Sequence, residues 1–131
     1  MIIKILINII CDTSFLMVLV TKPVKLLDDI TIDYGKINFL IPDIVIEELN
    51  KLINRKSYKI SQIARTVLEI ATQFEIVKTK KLRYTDDSLL DYAISYNCAI
   101  ATIDKNLIKR ALSQKIMVFS LKNNKVSIIN V

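Results

Sequence analysis

An aspartate stands inside one of the most apolar stretches of the sequence. Asp12 lies in IICDTSFLMVLV, residues 9–20, where most of the other side chains are apolar. Removing an ionised carboxylate from water costs several kcal/mol unless the group is paired, hydrogen-bonded or bound to a metal ion. Asp12 is therefore a candidate for catalysis or metal binding.

Two helical stretches each carry a pair of neighbouring acids, of which only one faces inwards. Within DIVIEELNKLINR, Glu48 falls on the apolar stripe, whereas Glu47 is four residues from Lys51 and is expected to form an exposed ion pair with it. Within TDDSLLDYAIS, Asp86 shares a helix face with apolar residues, whereas Asp87 falls on the solvated face. The inward acids, Glu48 and Asp86, are the candidates for chemistry.

A fourth acid, Asp104, lies just past the apolar strand pattern CAIAT. In open parallel sheets the carboxyl edge is where ligands bind, near the point where the strand order reverses. Each acid also has an ordinary structural explanation. Asp12 and Asp104 would serve as helix caps. Asp86 would be a first-turn acid favoured by the helix dipole, and Glu48 a boundary residue.

Four inward-biased carboxylates would repel one another unless a cation neutralised them. Ligation by oxygen atoms alone favours Mg²⁺ or Mn²⁺. The sequence contains no histidine, which excludes a Ser-His-Asp triad, a histidine base and histidine-ligated zinc. Any chemistry must therefore run on carboxylates, metal and water.

The elements that must position these acids alternate between strands and helices. Strand patterns occur at IIKILINIIC, INFLI, EIV, CAIAT, IMVFSL and KVSIINV. Helix patterns occur at TSFLMVLV, PVKLLDDITIDYG, DIVIEELNKLINR, YKISQIARTVLEIATQF, TDDSLLDYAISYN and DKNLIKRALSQ. This alternation predicts an α/β fold with a parallel sheet covered on both sides.

The bulk properties agree with a basic, well-folded α/β protein. The 131 residues fit one domain, residues 1–131, and the single Gly and two Pro predict mostly regular structure. The net charge of +6 favours a polyanionic partner. Cys11 and Cys98 lie in apolar stretches without metal or redox spacing, so buried reduced thiols in a cytoplasmic protein are expected. Polar residues interrupt the N-terminal apolar run, so neither a signal peptide nor a membrane association is expected.

The sequence resembles the PIN-domain ribonucleases. CDTSFL resembles the first-strand motif of the family with its leading aspartate, and IPDIVIEELNKL resembles the helix that carries the second acid. TDDSLLDYA and ATIDKNL resemble the third and fourth blocks, and the four blocks in this order cover nearly the whole chain. The IPD…EEL segment, YTDDSLLDYA and the tail IMVFSLKNNKVSIINV look most like the archaeal relatives of the small-subunit rRNA-processing PIN nucleases.

This resemblance implies a three-layer α/β/α sandwich with a mostly parallel central sheet. It also implies an endoribonuclease that depends on Mg²⁺ or Mn²⁺ and hydrolyses RNA phosphodiester bonds in rRNA processing or ribosome biogenesis. The implied partners are RNA such as pre-rRNA, a second copy in a homodimer, and ribosome-assembly factors.

The resemblance assigns roles to the individual acids and their neighbours. The acidic positions of the family, which bind the metal and act in catalysis, are matched by Asp12, Glu48, Asp86 and Asp104. Ser14 and Thr102 match small hydroxyl positions that orient a ligand or water. Many relatives carry a further acid two residues after the fourth, where this chain has Asn106. This difference predicts a weaker second metal site. Asp87, which is adjacent to Asp86 in the sequence, is the candidate to replace the missing acid.

Two basic runs flank the acidic motifs in the sequence. They are NRKSYK, with Arg55, Lys56 and Lys59, and KTKKLR, with Lys80, Lys81 and Arg83. Either run is placed to carry the RNA backbone past the acids, and the alternative for each lysine is an ordinary solvated loop charge.

Four other functions compete with this reading. A toxin-type PIN ribonuclease of a toxin–antitoxin pair shares the fold, as does a catalytically weak PIN domain that binds RNA or the ribosome. A response-regulator receiver would require an acidic pair after the first strand, and a haloacid-dehalogenase-like phosphatase would require Asp-x-Asp. The sequence DTS at this position fits neither of these last two.

Overall fold

The computed structural model describes residues 6–21, 36–55, 57–122 and 125–129. The strands are β1 (Leu6–Cys11), β2 (Lys36–Pro42), β3 (Glu75–Val77), β4 (Ala99–Ala101), β5 (Val118–Lys122) and β6 (Lys125–Ile129). The helices are α1 (Thr13–Leu19), α2 (Asp43–Ile53), α3 (Tyr58–Ala71), α4 (Thr85–Tyr96) and α5 (Lys105–Ser113). The helix predicted at residues 23–35 and the basic residue Lys56 lie outside the described residues.

The strands form one sheet in the order β3-β2-β1-β4-β5-β6. Neighbouring strands are parallel, except that β5 and β6 pair antiparallel. From β1 the chain adds β2 and β3 on one side and then crosses to β4 on the other. The strand order therefore reverses between β1 and β4. The predicted α/β fold with a mostly parallel sheet is confirmed.

Two hydrophobic clusters cover opposite faces of this sheet. Ile9 and Cys11 belong to one cluster with α1 and α3, and Ile10, between them in β1, belongs to the other with α4 and α5. Successive side chains of a strand point to opposite faces, so a central strand that is apolar on both faces must be covered by helices on both sides. Helix α2 contributes to both clusters. This is the three-layer arrangement that the resemblance implied.

The helix predicted at residues 58–74 ends earlier, at Ala71. The amides of Gln73 and Phe74 bond to the carbonyls three residues before them, so the chain tightens and turns into β3. Cys11 and Cys98 are buried and unpaired, as expected, and burial raises the pKa of both thiols. Within the described ranges, no helix combines the length and apolar character that crossing a bilayer requires.

Candidate active site

Strand pairing places Asp12 beside Thr102 at the carboxyl edge of the sheet. Cys11 of β1 is level with Ala101 of β4, and the Asp12 amide donates to the Ala101 carbonyl oxygen at 2.9 Å. The residues that follow these two strands, Asp12 and Thr102, therefore emerge side by side where the strand order reverses. This is the position at which open parallel sheets bind ligands.

Two hydroxyl groups hold one oxygen of the Asp12 carboxylate. Ser14 Oγ donates to Asp12 Oδ2 at 2.6 Å, and Thr102 Oγ1 donates to the same oxygen at 2.8 Å. Asp12 precedes α1, but its side chain makes no capping hydrogen bond to that helix. The structure therefore does not support the capping explanation for Asp12.

Asp12 is only 7% exposed, and the pKa of its carboxyl group is raised. Burial is the main cause, since it disfavours the charged form. Hydrogen bonds from Ser14 and Thr102 offset part of this effect, and the nearby charge of Glu48 adds to it. The residue is thus a buried acid whose negative charge lacks a cationic partner among the described residues.

Glu48 is held by two threonines that begin neighbouring helices. Thr13 Oγ1 donates to Glu48 Oε2 at 2.6 Å, and Thr85 Oγ1 donates to Glu48 Oε1. Glu48 therefore ties α2 to the first residues of α1 and α4. The position of Glu48 on the apolar stripe predicted it as a candidate, whereas neither threonine was predicted as a site residue. Their signal is that each stands directly beside a candidate acid.

Asp86 interacts electrostatically with the three other candidate acids. Its pKa is raised, chiefly by burial and then by the charges of Asp12, Asp104 and Glu48, while Arg110 acts in the opposite direction. These interactions place the four acids in one region. Asp86 is therefore within electrostatic range of Asp12, Glu48 and Asp104.

Asp104 caps helix α5, as the structural explanation predicted. Its Oδ1 accepts from the amides of Asn106 at 2.8 Å and Leu107 at 3.3 Å. Its own amide donates to Thr102 Oγ1 at 3.1 Å, and this hydroxyl in turn donates to Asp12. Capping engages only one carboxylate oxygen, so the cap and a role in the acidic site are compatible.

Asp87 lies outside the acidic group and forms an ion pair between two helices. Arg110 Nη2 of α5 donates to Asp87 Oδ1 of α4 at 2.6 Å. Arg110 is also the cation that acts on Asp86. Asp87 therefore bonds to Arg110, the residue whose charge lowers the pKa of Asp86. Asn106, at the position where many relatives have an acid, uses its backbone amide to complete the Asp104 cap.

The second basic run is fastened to α2 beside the acids. Thr79 donates to Asp43 Oδ1 through its amide at 3.1 Å and its hydroxyl at 2.7 Å. Lys81 Nζ pairs with Glu47 Oε1 at 2.5 Å. The predicted ion pair of Glu47 with Lys51 is therefore wrong, because residues 78–84 bring a different lysine to the same carboxylate.

Other members of the two basic runs are exposed. They are Arg55, Lys59, Lys80 and Arg83. A cleft of about 160 Å³ separates α2 from residues 81–88, and its lining includes Glu48, Lys51, Lys81, Arg83, Thr85 and Ser88. Cationic side chains therefore share one cleft with a candidate catalytic acid.

The donor chemistry of the site fits a divalent cation such as Mg²⁺ or Mn²⁺. The side chains that bond to Asp12 are hydroxyls, and the charges of neighbouring carboxylates raise the pKa of Asp12 and of Asp86. As they stand, however, no three Asp, Glu or Cys side chains of the described part of the chain are arranged closely enough to hold an ion. The site thus has the charge and oxygen donors for a metal without a closed coordination shell.

The family model described as PIN-like domain matches residues 9–124. The chain belongs to the PIN-like domain family. The matched range includes all four acids of the site, so the family membership predicted from the sequence blocks is confirmed.

The PIN-like domain is similar to two named nucleases. It is 32% identical over 114 residues to Ribonuclease VapC9 of Archaeoglobus fulgidus, a match that covers 87% of this chain and 82% of that protein. It is 30% identical to the solved structure of the PIN domain endonuclease Utp24, with a TM-score of 0.75 over 95% of this chain and 92% of that one. A domain of a functionally unknown Methanocaldococcus jannaschii protein has the same fold, with a TM-score of 0.68, 16% identity, and coverage of 98% and 99%.

Proposed function

We propose that this PIN-like domain is a divalent-metal-dependent endoribonuclease that hydrolyses RNA phosphodiester bonds. The supporting observation is the buried Asp12 carboxylate, which caps no helix and interacts with further acids at the edge where the strand order reverses. The names of the two similar nucleases, a ribonuclease and an endonuclease, support the type of reaction.

The metal would be held by Asp12, Asp86 and Asp104, with Glu48 as a fourth ligand or as the base that positions water. When bound, Mg²⁺ or Mn²⁺ lowers the pKa of its water and stabilises the charge that develops on the phosphate. PIN ribonucleases in general use divalent ions for this purpose. The mutual repulsion of these carboxylates supports the assignment, because a bound cation would relieve it.

The other residues of the site fix the orientation of these acids. Ser14 and Thr102 restrain Asp12 by donating to the same oxygen, so the other oxygen has a defined direction. Thr13 and Thr85 restrain both oxygens of Glu48. Partners that orient ligands in this way commonly change metal affinity or activity about 10- to 100-fold when they are removed.

Calorimetric titration of Mn²⁺ tests the metal site without a known RNA substrate. We expect stoichiometric binding by the wild type and its loss or strong weakening in Asp12→Asn and Asp86→Asn. Asp91→Asn is the matched control, because Asp91 is a partly buried acid on the same helix as Asp86. Circular dichroism establishes that each variant is folded.

Two results of this titration would contradict the proposed metal site. One is the absence of Mn²⁺ binding by the folded wild type. The other is equal binding by the wild type and both site variants. Either result favours a PIN domain that binds RNA without cleaving it, for which Asn106 is the supporting residue. RNA binding unaffected by metal removal, with no cleavage, would then be expected.

The proposed biological role is the processing of ribosomal RNA precursors in the cytoplasm, with ribosome-assembly factors as partners. The support is the resemblance of the IPD…EEL segment, the YTDDSLLDYA block and the C-terminal tail to the archaeal relatives of rRNA-processing PIN nucleases. A toxin with an antitoxin partner is the second candidate, and the 32% identity to Ribonuclease VapC9 favours it.

Expression in a bacterial host separates these two roles. A toxin arrests growth in a manner that depends on Asp12, and a gene adjacent to its own relieves the arrest. An rRNA-processing enzyme instead cleaves a precursor transcript at a defined position in vitro and requires no antitoxin. Growth arrest abolished by Asp12→Asn, without cleavage of precursor rRNA, would overturn the processing role.

A further inference from the structure

An exposed aromatic residue directly precedes the helix that carries Asp86 of the acidic site. Tyr84 is 59% exposed and directly precedes α4. The next residue, Thr85, donates to Glu48, and the residue after that is Asp86. The ring is therefore carried by the same short stretch of backbone that positions two of the candidate catalytic acids.

The segment that presents Tyr84 is fixed at several points. Thr79 bonds to Asp43 through both its amide and its hydroxyl. The Leu82 amide donates to Ser88 Oγ at 3.0 Å, and the Ser88 side chain is buried in α4. The Ser88 amide donates to the Tyr84 carbonyl oxygen at 3.2 Å, which joins Tyr84 to the first turn of the helix. A ring presented in this way loses little conformational entropy when a ligand binds to it.

One cation contacts the ring, and further basic residues are close to it in the sequence. The Arg83 guanidinium carbon lies 5.3 Å from the centroid of the Tyr84 ring, a cation–π contact. Arg83 also lines the cleft that contains Glu48 and Lys51, and Lys80 is exposed nearby in the sequence. Aromatic rings that stack with bases, together with cations that follow the phosphates, are the usual means by which proteins bind single-stranded nucleic acid.

We propose that the Tyr84 ring and the Arg83 guanidinium form a stacking platform for one unpaired RNA base next to the scissile phosphate. The platform would make the domain select single-stranded RNA over duplex RNA, because a base inside a duplex is already stacked and paired. This inference rests on the proposed ribonuclease function. An RNA ligand is favoured over a protein ligand because the ring contacts a guanidinium group and directly precedes Thr85 and Asp86 of the acidic site.

Fluorescence anisotropy with labelled RNA tests the platform. The probes are a 5′-fluorescein-labelled oligouridine of about 12 nucleotides and a blunt RNA duplex of the same length, each measured with and without Mn²⁺. Since stacking contributes strongly per base, Tyr84→Ala is expected to weaken oligouridine binding about 5- to 100-fold and duplex binding by less than about twofold. Gel electrophoresis of the same samples records cleavage separately from binding.

Three further variants show whether the aromatic face is responsible. Tyr84→Phe keeps the face and is expected to bind like the wild type, whereas Tyr84→Leu keeps apolar bulk and is expected to bind like Tyr84→Ala. Tyr96→Ala is the matched control, because Tyr96 is 64% exposed and lies at the other end of α4, where it stacks on Tyr92. It is expected to bind oligouridine like the wild type.

The outcomes separate a failure of the platform from a failure of the proposed function. A wild-type protein that neither binds nor cleaves RNA overturns the proposed function, and the platform with it. A wild type that cleaves RNA, with Tyr84→Ala and Tyr84→Leu unchanged in binding, overturns the platform alone and leaves the ring for a protein partner. Equal loss of single-stranded and duplex binding also overturns it, since the ring would then be ordering the segment instead of stacking on a base.

Discussion

At the scale of single residues, Asp12 and Asp104 occupy equivalent places between a strand and a helix but have different roles in the structure. Each follows a strand and precedes a helix. Asp104 uses its carboxylate to cap α5, whereas Asp12 accepts two hydroxyl hydrogen bonds. The sequence could not separate these roles, because one of the hydroxyls, that of Thr102, lies 90 residues further along the chain.

The buried charge of Asp12 is expected to destabilise the metal-free protein at neutral pH. Burial raises the pKa of this group in the folded state above its value in the unfolded chain. The protonated Asp12 carboxyl group therefore contributes its full stabilisation at pH values below the pKa of the unfolded state. This stabilisation is lost as the pH rises through the pKa of the folded state. Asp12→Asn removes the charge and keeps an oxygen that accepts from Ser14 and Thr102. We expect it to raise the free energy of unfolding by roughly 1–2 kcal/mol at neutral pH.

Urea unfolding in EDTA, followed by circular dichroism, measures this difference. The advantage of Asp12→Asn should shrink as the pH is lowered, and added Mn²⁺ should reverse it by stabilising only the wild type. A variant that is less stable than the wild type in EDTA at neutral pH would show that the Asp12 charge is compensated within the protein.

At the scale of elements, the segment of residues 78–84 brings basic side chains to the cleft that contains Glu48. Asp43, the first residue of α2, holds it through Thr79. Burial raises the pKa of Asp43, but hydrogen bonds from Thr79 and Ile44 and the charge of Lys81 together lower it below its ordinary value. Its ionised form therefore stabilises the fold above the unfolded pKa, and this stability is lost as the pH falls through the folded pKa.

Asp43→Ala is therefore expected to lower the free energy of unfolding by about 1–2 kcal/mol at neutral pH and by less in acid. This pH trend is opposite to that expected for Asp12→Asn. Hydrogen exchange at the amides of Thr79 and Leu82 should accelerate in Asp43→Ala, and Asp43→Asn, which keeps an acceptor oxygen, should show a smaller effect. Unchanged exchange at Thr79 would mean that Asp43 does not hold the segment.

The elements themselves were largely predictable from the sequence, and the contacts between them were not. Strand periodicity placed the six strands found in the described ranges. The Glu47 to Lys51 ion pair was wrong, because helical spacing describes only neighbours within one helix and Lys81 arrives from another part of the chain. Thr13 and Thr85 were missed for the same reason, since their common partner Glu48 is 35 and 37 residues away.

At the scale of the whole molecule, the protein has a net positive charge but its candidate active site is locally acidic. The net charge is +6, yet four acids gather where the strand order reverses. A polyanion would be attracted by the whole surface and repelled locally by the metal-free acids. Metal binding would remove the local repulsion. We therefore expect metal binding to raise the affinity for RNA, and RNA binding to raise the affinity for the metal.

The salt dependence of RNA binding tests how the surface charge is used. Each phosphate contacted by a cation adds about −0.7 to the slope of log K against log salt for a single strand, so three or four contacts give a slope of roughly −2 to −3. We expect Arg83→Gln and Lys59→Gln, one from each basic run, each to reduce the magnitude of the slope by about 0.7. Lys109→Gln, on the exposed side of α5 and outside both runs, should leave the slope unchanged.

A change in slope with Arg83→Gln alone would restrict the RNA path to the cleft beside Glu48. Equal slopes for the wild type and all variants would mean that neither run contacts the phosphates.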